Sequence, residues 1–327
     1  MVDAQQATVS EQQHGRRFDQ VLAELFPDYS RSRLKQWILD GKASLDGEQV
    51  IPRAKVREGQ RIELHPERLN VTEARAENIP LELVFEDEHV LVVNKPAGLV
   101  THPGAGNADG TLQNGLLYYD QNLGELPRAG ILHRLDKDTS GLLLIARSLA
   151  AHTRLVRDLE ARLLRREYRA VCMGRLTAGG KVDAPVGRHK TQRTRMAVTD
   201  RGKPAQTHYR VLHRFTHHSF LALRLETGRT HQIRVHMAHV HHPLLGDPVY
   251  GGRLRLPPGA DHELTEQLQS FHRQALHASN LGFEHPVSGE PLDFRASLPA
   301  DMQKLLVALG ENTLQADEFE KMVWPQQ

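Results

Sequence analysis

Six residues, Gly141-Leu142-Leu143-Leu144-Ile145-Ala146, form an unbroken apolar run directly behind a turn that carries Arg134, Asp136, Lys137 and Asp138. A short continuous apolar run bounded by turn signals predicts a fully covered strand. Charges beside so deep a strand are costly to bury without partners. Both demands are met by a loop at the rim of a sheet, with Asp136 pointing into a cleft.

The chain has 327 residues, enough for more than one domain or for one large domain with an appendage. Hydrophobic content of 39% and charged content of 25% are ordinary for a folded soluble protein. A formal net charge of +2 with 20 histidines leaves the surface mildly basic. That balance permits a nucleic-acid partner without establishing one, so local clusters must carry the argument. Cys172 is the only cysteine, which excludes an intrachain disulfide and a Cys-based zinc site. Within Ala170-Val171-Cys172-Met173 it reads as an inert strand residue. Met1 to Glu11 lacks the apolar core of a signal peptide, and no apolar run is long enough to span a bilayer. The expectation is a cytoplasmic protein without membrane contact.

Residues 1–13, rich in Gln and Ala, predict disorder. From Arg17 to Phe26, Phe18, Val21, Leu22, Leu25 and Phe26 make a helical stripe that Pro27 ends. Ser30 reads as the N-cap of a second helix, Arg31 to Leu39, closed by Gly41. Asp46-Gly47 predicts the turn of a hairpin, and Arg61-Ile62-Glu63-Leu64 adds a strand. The expected organisation is a small α/β domain over 14–65, a polar linker over 66–78, a large domain over 79–310 and a tail over 311–327. In the large domain, Leu83-Val84-Phe85 and Val90-Leu91-Val92-Val93 read as strands. Further strands are predicted over Thr207 to Phe215, Phe220 to Glu226 and Ala275 to Phe283. A helix starts at Ser148 and runs to about Leu164, with Leu155, Val156, Leu159 and Leu163 inward. Others lie near Gln232 to Val240 and Met302 to Leu309. This is an α+β pattern with a mixed, mostly antiparallel sheet rather than regular βαβ alternation.

Two basic clusters stand out. Arg31, Arg33 and Lys35 sit near the start of the second helix, where positive charge opposes the helix dipole and invites an anion. Arg188, Lys190, Arg193 and Arg195 form the densest basic run. A solvated face is the plain reading of either cluster; a phosphate-tracking surface is the functional one. His236, His239, His241 and His242 lack the accompanying carboxylate of a zinc helix, so structural roles are expected and no metal is assigned. No cofactor fingerprint appears.

The segment His133-Arg134-Leu135-Asp136-Lys137-Asp138-Thr139-Ser140-Gly141-Leu142 resembles the catalytic signature of the RluA-type pseudouridine synthases. Other stretches follow in family order: Asn94 to Gly98, Arg166 to Tyr168, Gly228 to Arg234, and Leu245 to Gly252. Residues Phe26 to Arg33 and His102 to Asn107 are similar to the RluD branch of that family. The helix-Gly-hairpin layout near the N-terminus resembles a small RNA-binding domain first seen in a ribosomal protein. It departs from that pattern at Leu45-Asp46-Gly47, where Val-Asn-Gly is usual.

The resemblance implies an isomerase that turns uridine into pseudouridine in RNA, without cofactor or metal. It implies Asp136 as the catalytic carboxylate, by a nucleophilic or an elimination route, both open at this stage. Arg234 is implied to pair with Asp136, Tyr168 to lie against the target base, Arg134 to enter the RNA stack, and Lys95 to face RNA. A role for Arg134 as a structural partner of Asp138 competes. The implied partner is ribosomal RNA of the large subunit, at the stem-loop called helix sixty-nine; the oligomeric state stays open, with a monomer favoured. Two rival readings use the same residues. A non-catalytic RNA-binding factor for ribosome assembly needs only the basic clusters, and an Asp-dependent glycosidase needs a positioned water.

Overall fold

The computed structural model describes residues 4–26, 29, 31–66, 74–104, 107–192, 194–254, 256–311 and 313–324. In the N-terminal part, α1 (Phe18–Leu25) and α2 (Arg31–Leu39) pack on a sheet in which β1 (Gln5–Thr8) and β2 (Ala43–Leu45) flank β4 (Arg61–Leu64) and β3 (Glu48–Gln49) lies outside β2. Phe18, Leu22, Leu34, Trp37, Ile38, Ile62 and Leu64 form its core, which confirms the stripe read from sequence. Asp46-Gly47 makes the predicted turn, both at positive φ. The expected cap Ser30 lies outside the described residues.

The large sheet runs in the order β5 (Leu83–Glu86), β6 (Val90–Lys95), β7 (Ser140–Ala146), β14 (Leu276–Glu284), β8 (Arg165–Met173), β13 (His218–Leu225), β12 (Gln206–Arg214) and β9 (Gly180–Asp183). Every described pairing along it is antiparallel except β7 with β14. That parallel contact spans only Ser140 opposite His277 and Gly141 opposite Ala278. Beyond it, β15 (Pro291–Arg295) takes the place beside β14. The strands thus split just past the loop that precedes β7. A β-carbon on Gly141, whose φ is +113°, would lie 2.2 Å from the Ala278 carbonyl oxygen, so this approach requires glycine.

All seven residues of β7 are buried, as the apolar run predicts. Leu143 and Ile145 face a core shared with α3 (Leu112–Tyr119) and α5 (Gln232–His239). Leu142, Leu144 and Ala146 face α4 (Leu149–Glu160) on the opposite side. Alternation along a strand sends successive side chains to opposite faces, so a strand covered on both must be apolar throughout. Further along the sheet, α6 (His262–Ser270), α7 (Ala300–Leu309) and α8 (Ala316–Lys321) enclose another core around Phe220 and Val171. β10 (Val186–Arg188) and β11 (Met196–Val198) form a separate hairpin.

Three expectations need correction. Residues 5–8 are a strand rather than disordered, because their backbone completes the open edge of β4 despite a polar composition. The C-terminal stretch contains α8, whose Phe319 is fully buried against Phe215 and Phe220. Helix α4 stops at Glu160; Arg162 turns left-handed at φ 62°, and Leu163 is 64% exposed rather than inward.

Candidate active site

The loop Leu135 to Thr139 is held by its own backbone. The Thr101 hydroxyl donates to the Leu135 carbonyl at 2.7 Å, and Thr139 N–H to the Asp136 carbonyl at 3.1 Å. Lys95 Nζ and Gly98 N–H both donate to the Lys137 carbonyl, and Arg273 to that of Asp138. Gln274 closes the set by donating to the Thr139 hydroxyl. Four successive carbonyls are thereby engaged, so the Asp136 side chain projects from a fixed frame. Lys95 contradicts its expected RNA-facing role. It is fully buried beside Gly141 and spends its ammonium on the carbonyls of Pro96, Leu99 and Lys137. Burial pulls its pKa down to about 7, against the carboxylates of Asp138 and Asp136, which favour the charged form.

Arg234 reaches the same carboxylate from α5. The start of this helix is set by Gln232, 2% exposed, whose amide accepts from Thr227 Oγ1 and Arg229 N–H. The same amide donates to the Gln206 carbonyl and Thr207 Oγ1. Ile233 and Met237 face the core that also holds Tyr168, which turns Arg234 toward Asp136, as expected from its place off the apolar face. Arg234 Nη1 donates to Asp136 Oδ2 at 3.0 Å. Its Nε and Nη2 donate to the two oxygens of Asp247 at 2.7 and 2.9 Å. Asp247 Oδ1 also accepts from the N–H groups of Val249 and Tyr250.

Burial alone would lower the Arg234 pKa, but hydrogen bonding to Asp247 and the charges of Asp136 and Asp247 raise it above its ordinary value. Burial likewise pushes Asp247 up, and the Arg234 guanidinium outweighs it, holding that carboxyl below its usual value. A buried bidentate pair of this kind aims the remaining N–H of the arginine in one direction. That direction is Asp136.

Asp136, 15% exposed at its side chain, opens on a cavity of about 480 Å³ lined by Tyr168, His133, Arg134, Arg166, His231 and Leu276 among others. The ring of Tyr168 is 5% exposed, and burial raises its phenol pKa. His231 Nε2 lies 3.8 Å from Asp136 Oδ1, while its Nδ1 is 2.9 Å from the Tyr250 hydroxyl. Burial, which favours the uncharged ring, lowers its pKa against the pull of Asp136. The Tyr250 ring also lies under the Arg234 guanidinium, 5.0 Å from its centroid. The cavity therefore offers one carboxylate opposed by a fixed cation, an aromatic wall and an imidazole.

The other sequence-predicted residues fall into groups. Arg134 is exposed at the cavity rim, and among the described residues it makes no ion pair with Asp138. Arg188 and Lys190 are exposed on the β10–β11 hairpin and its loop. Arg195 lies over the Tyr250 ring at 5.3 Å, and Met196 N–H donates to the Tyr250 hydroxyl, so this basic loop joins the Arg234 surroundings. Arg193 lies outside the described residues. Arg31 and Lys35 are exposed on α2; Arg33 is in the same helix, with a side chain outside the described residues. His236 is consumed by Thr207 Oγ1 and the Ala184 carbonyl, both at 2.9 Å, a structural role.

Asp247, Tyr250 and His231 are the neighbours of the Arg234–Asp136 pair that the residue-level reading left without a role. Asp247 had a legible signal in Gly246-Asp247-Pro248, a turn that carries a carboxylate into an otherwise apolar stretch. Gly246 has φ +70°, and a β-carbon there would meet the Arg273 carbonyl at 2.3 Å, which ties the Asp247 turn to the segment that holds Asp138.

Residues 89–239 match the family model for RNA pseudouridylate synthase, and residues 16–62 match the S4 domain. The chain is 55% identical over 316 residues to Ribosomal large subunit pseudouridine synthase D of Vibrio parahaemolyticus, covering 95% of this chain and 97% of that one. The protein of the same name from Xanthomonas campestris pv. campestris is 55% identical over 314 residues, covering 96% and 95%. That from Escherichia coli O6:H1 is 54% identical over 301 residues, covering 92% of each chain. Among solved structures, Human RNA Pseudouridylate Synthase Domain Containing 4 shares the fold at a TM-score of 0.55 and 24% identity, covering 70% of this chain and 93% of that one. The chain belongs to the RNA pseudouridylate synthase family, as an enzyme of the RluA/RluD type that carries an S4 domain. It is an RNA pseudouridine synthase, and its α+β sheet with an N-terminal RNA-binding domain is the architecture expected from its sequence.

Proposed function

We propose that the enzyme isomerises uridines of large-subunit ribosomal RNA, at the stem-loop called helix sixty-nine, with Asp136 as the catalytic carboxylate. The observation that carries the assignment is the Asp247–Arg234–Asp136 relay at the mouth of the cavity that Tyr168 walls. The printed names of the similar proteins support the large-subunit target. The RluD-like segments read from sequence support the stem-loop. A substrate of that kind also agrees with a cytoplasmic protein.

The reaction breaks the N1–C1′ bond of uridine, turns the base and joins C5 to C1′. The C5 hydrogen leaves as a proton and N1 gains one, so no electrons are exchanged. Asp136 either attacks as a nucleophile or removes a sugar proton to start an elimination. In both routes Arg234 fixes the carboxylate and balances its charge, which is electrostatic preorganisation by a group already in place. The target must leave its stack to reach so recessed a carboxylate. Tyr168 receives the flipped base, and Arg134, exposed at the rim, fills the gap it leaves. Arg188, Lys190, Arg193 and Arg195, with Arg31, Arg33 and Lys35, hold the RNA backbone.

Modification mapping of large-subunit RNA from cells lacking this protein tests the target. Uridine in place of pseudouridine at the stem-loop, restored by the native gene and not by one encoding Asp136→Asn, is the expected result. Full modification without the protein would refute the target.

A further inference from the structure

The face of the sheet opposite Asp136 holds a second, differently built cleft. Along β8, Arg166 and Tyr168 point to the catalytic side, so Arg165, Glu167 and Arg169 point away from it. α4 covers this far face at one end, and α6 to α8 cover it at another. Elsewhere on that face β8, β12, β13 and β15 present arginines in place of apolar residues, around a cleft of about 710 Å³. Arg165, Arg169, Arg210, Arg224 and Arg295 all line it, with Trp324 from the C-terminal segment as a wall.

Charge is not balanced there. Glu167 is taken by Arg224, at 2.9 Å from Nε and 2.7 Å from Nη2, and Asp293 is taken by Arg165. Arg169, Arg210 and Arg295 form no ion pair with a carboxylate among the described residues, although the charges of Glu167 and Glu320 act on Arg169. Arg169 is only 6% exposed; its Nη2 donates to the Met322 carbonyl, and its buried Nη1 has no hydrogen-bond partner. A chain of net charge +2 has therefore gathered five arginines against two carboxylates, Glu167 and Asp293, around one concavity. Guanidinium forks match phosphate oxygens in pairs of parallel hydrogen bonds. The Trp324 ring already packs on Arg224, 4.2 Å from its centroid, and borders the same space.

We propose that this cleft is a second phosphate-binding site, which takes the phosphate of a nucleotide unit, either within an RNA strand or free. It is separate from the catalytic cavity, and an RNA strand held there would grip the substrate at a distance from the uridine being isomerised.

Trp324 reports on the site directly, since the other tryptophan, Trp37, is buried in the N-terminal core. The full-length protein is titrated with an adenylate decamer, which contains no uridine, and in parallel with adenosine monophosphate. Trp324→Phe identifies the emission that belongs to the cleft. Saturable quenching is expected, with the half-saturation point raised by about tenfold in Arg210→Glu/Arg295→Glu, two rim residues whose phosphate contacts the change removes. Arg295→Ala, a substitution at an exposed position, gives a smaller shift in the same direction and serves if the double variant fails to fold. A decamer that saturates well below the monophosphate identifies an RNA strand as the source, and equal affinity identifies a free nucleotide. Absence of saturable quenching by either probe, or unchanged titrations in the arginine variants, would overturn the proposal. Pseudouridine formation in a short transcript reads Asp136 independently, so loss of one result does not imply loss of the other.

Discussion

Arg234 is aimed at Asp136 because it cannot point anywhere else. Arg234 is 5% exposed at its side chain and Asp247 is fully buried, so removing the Asp247 charge leaves a buried guanidinium half paired. Breaking a buried pair in this way typically costs about 3–5 kcal/mol. Asp247→Asn should therefore lower stability by an amount of that order and reduce turnover, although it touches no substrate atom. An Asp247→Asn enzyme with native turnover and native unfolding midpoint would show the relay to be dispensable. For Tyr168, Phe keeps the ring and loses only the hydroxyl, whereas Ala loses the wall of the cavity. Stacking against a base contributes about 1–3 kcal/mol, so Tyr168→Ala should weaken binding of target RNA by that amount and Tyr168→Phe much less. Equal losses in the two variants, measured by equilibrium binding, would shift the role from stacking to the hydroxyl.

At the level of elements, the site depends on the two-residue contact between β7 and β14. Gly141→Ala puts a methyl group on the Ala278 carbonyl in a backbone region that side chains avoid. A strained backbone alone costs about 1–3 kcal/mol, so urea unfolding should show at least that loss. A loss below about 0.5 kcal/mol, the range of neutral surface changes, would mean that the strands separate freely. Much of this arrangement was legible in the sequence. The apolar run of β7 read as a strand buried on both faces, as it is, and the charges before it called for an opening. The partners of the loop were not legible, because Thr101, Gly98 and Arg273 act through backbone carbonyls, which leave no pattern in residue types, and Gln274 meets the loop only at the Thr139 hydroxyl. The RNA-facing role that the resemblance implied for Lys95 failed for a related reason: the pairing of β6 with β7 buries it beneath the loop, and no residue type records that pairing.

Across the whole molecule, buried histidines set the response to acid. His218 and His277 are buried, and desolvation pushes each down to about 4 from an ordinary value of 6.5. His277 is held between Ser140 and the Ala296 carbonyl, in an arrangement that needs only the neutral ring. Between about pH 4 and 6.5 the unfolded chain binds protons that the folded chain refuses. The stability they contribute is complete above pH 6.5 and is lost as the pH falls, by up to about 1.4 kcal/mol per pH unit for each ring. Urea midpoints should fall steadily from pH 7 to pH 5, and less steeply in His218→Gln and His277→Gln. A flat midpoint over that range would contradict the burial of these rings. The terminal regions were the least legible part of the chain. Residues 5–8 gain order only by completing a sheet edge, and α8 only by placing Phe319 in a distant core. Composition records neither event, since both depend on what lies across the gap. The S4 domain was legible from its stripe and its hairpin turn, because those are local.

The most direct test of the catalytic assignment is tritium release from large-subunit RNA labelled at uridine C5, with native protein beside Asp136→Asn. Joining C5 to the sugar displaces that hydrogen, so the native enzyme should release tritium. The variant should release none, while its far-ultraviolet spectrum and its affinity for the same RNA stay close to native. Release by Asp136→Asn at the native rate would contradict the assignment of Asp136 as the catalytic carboxylate.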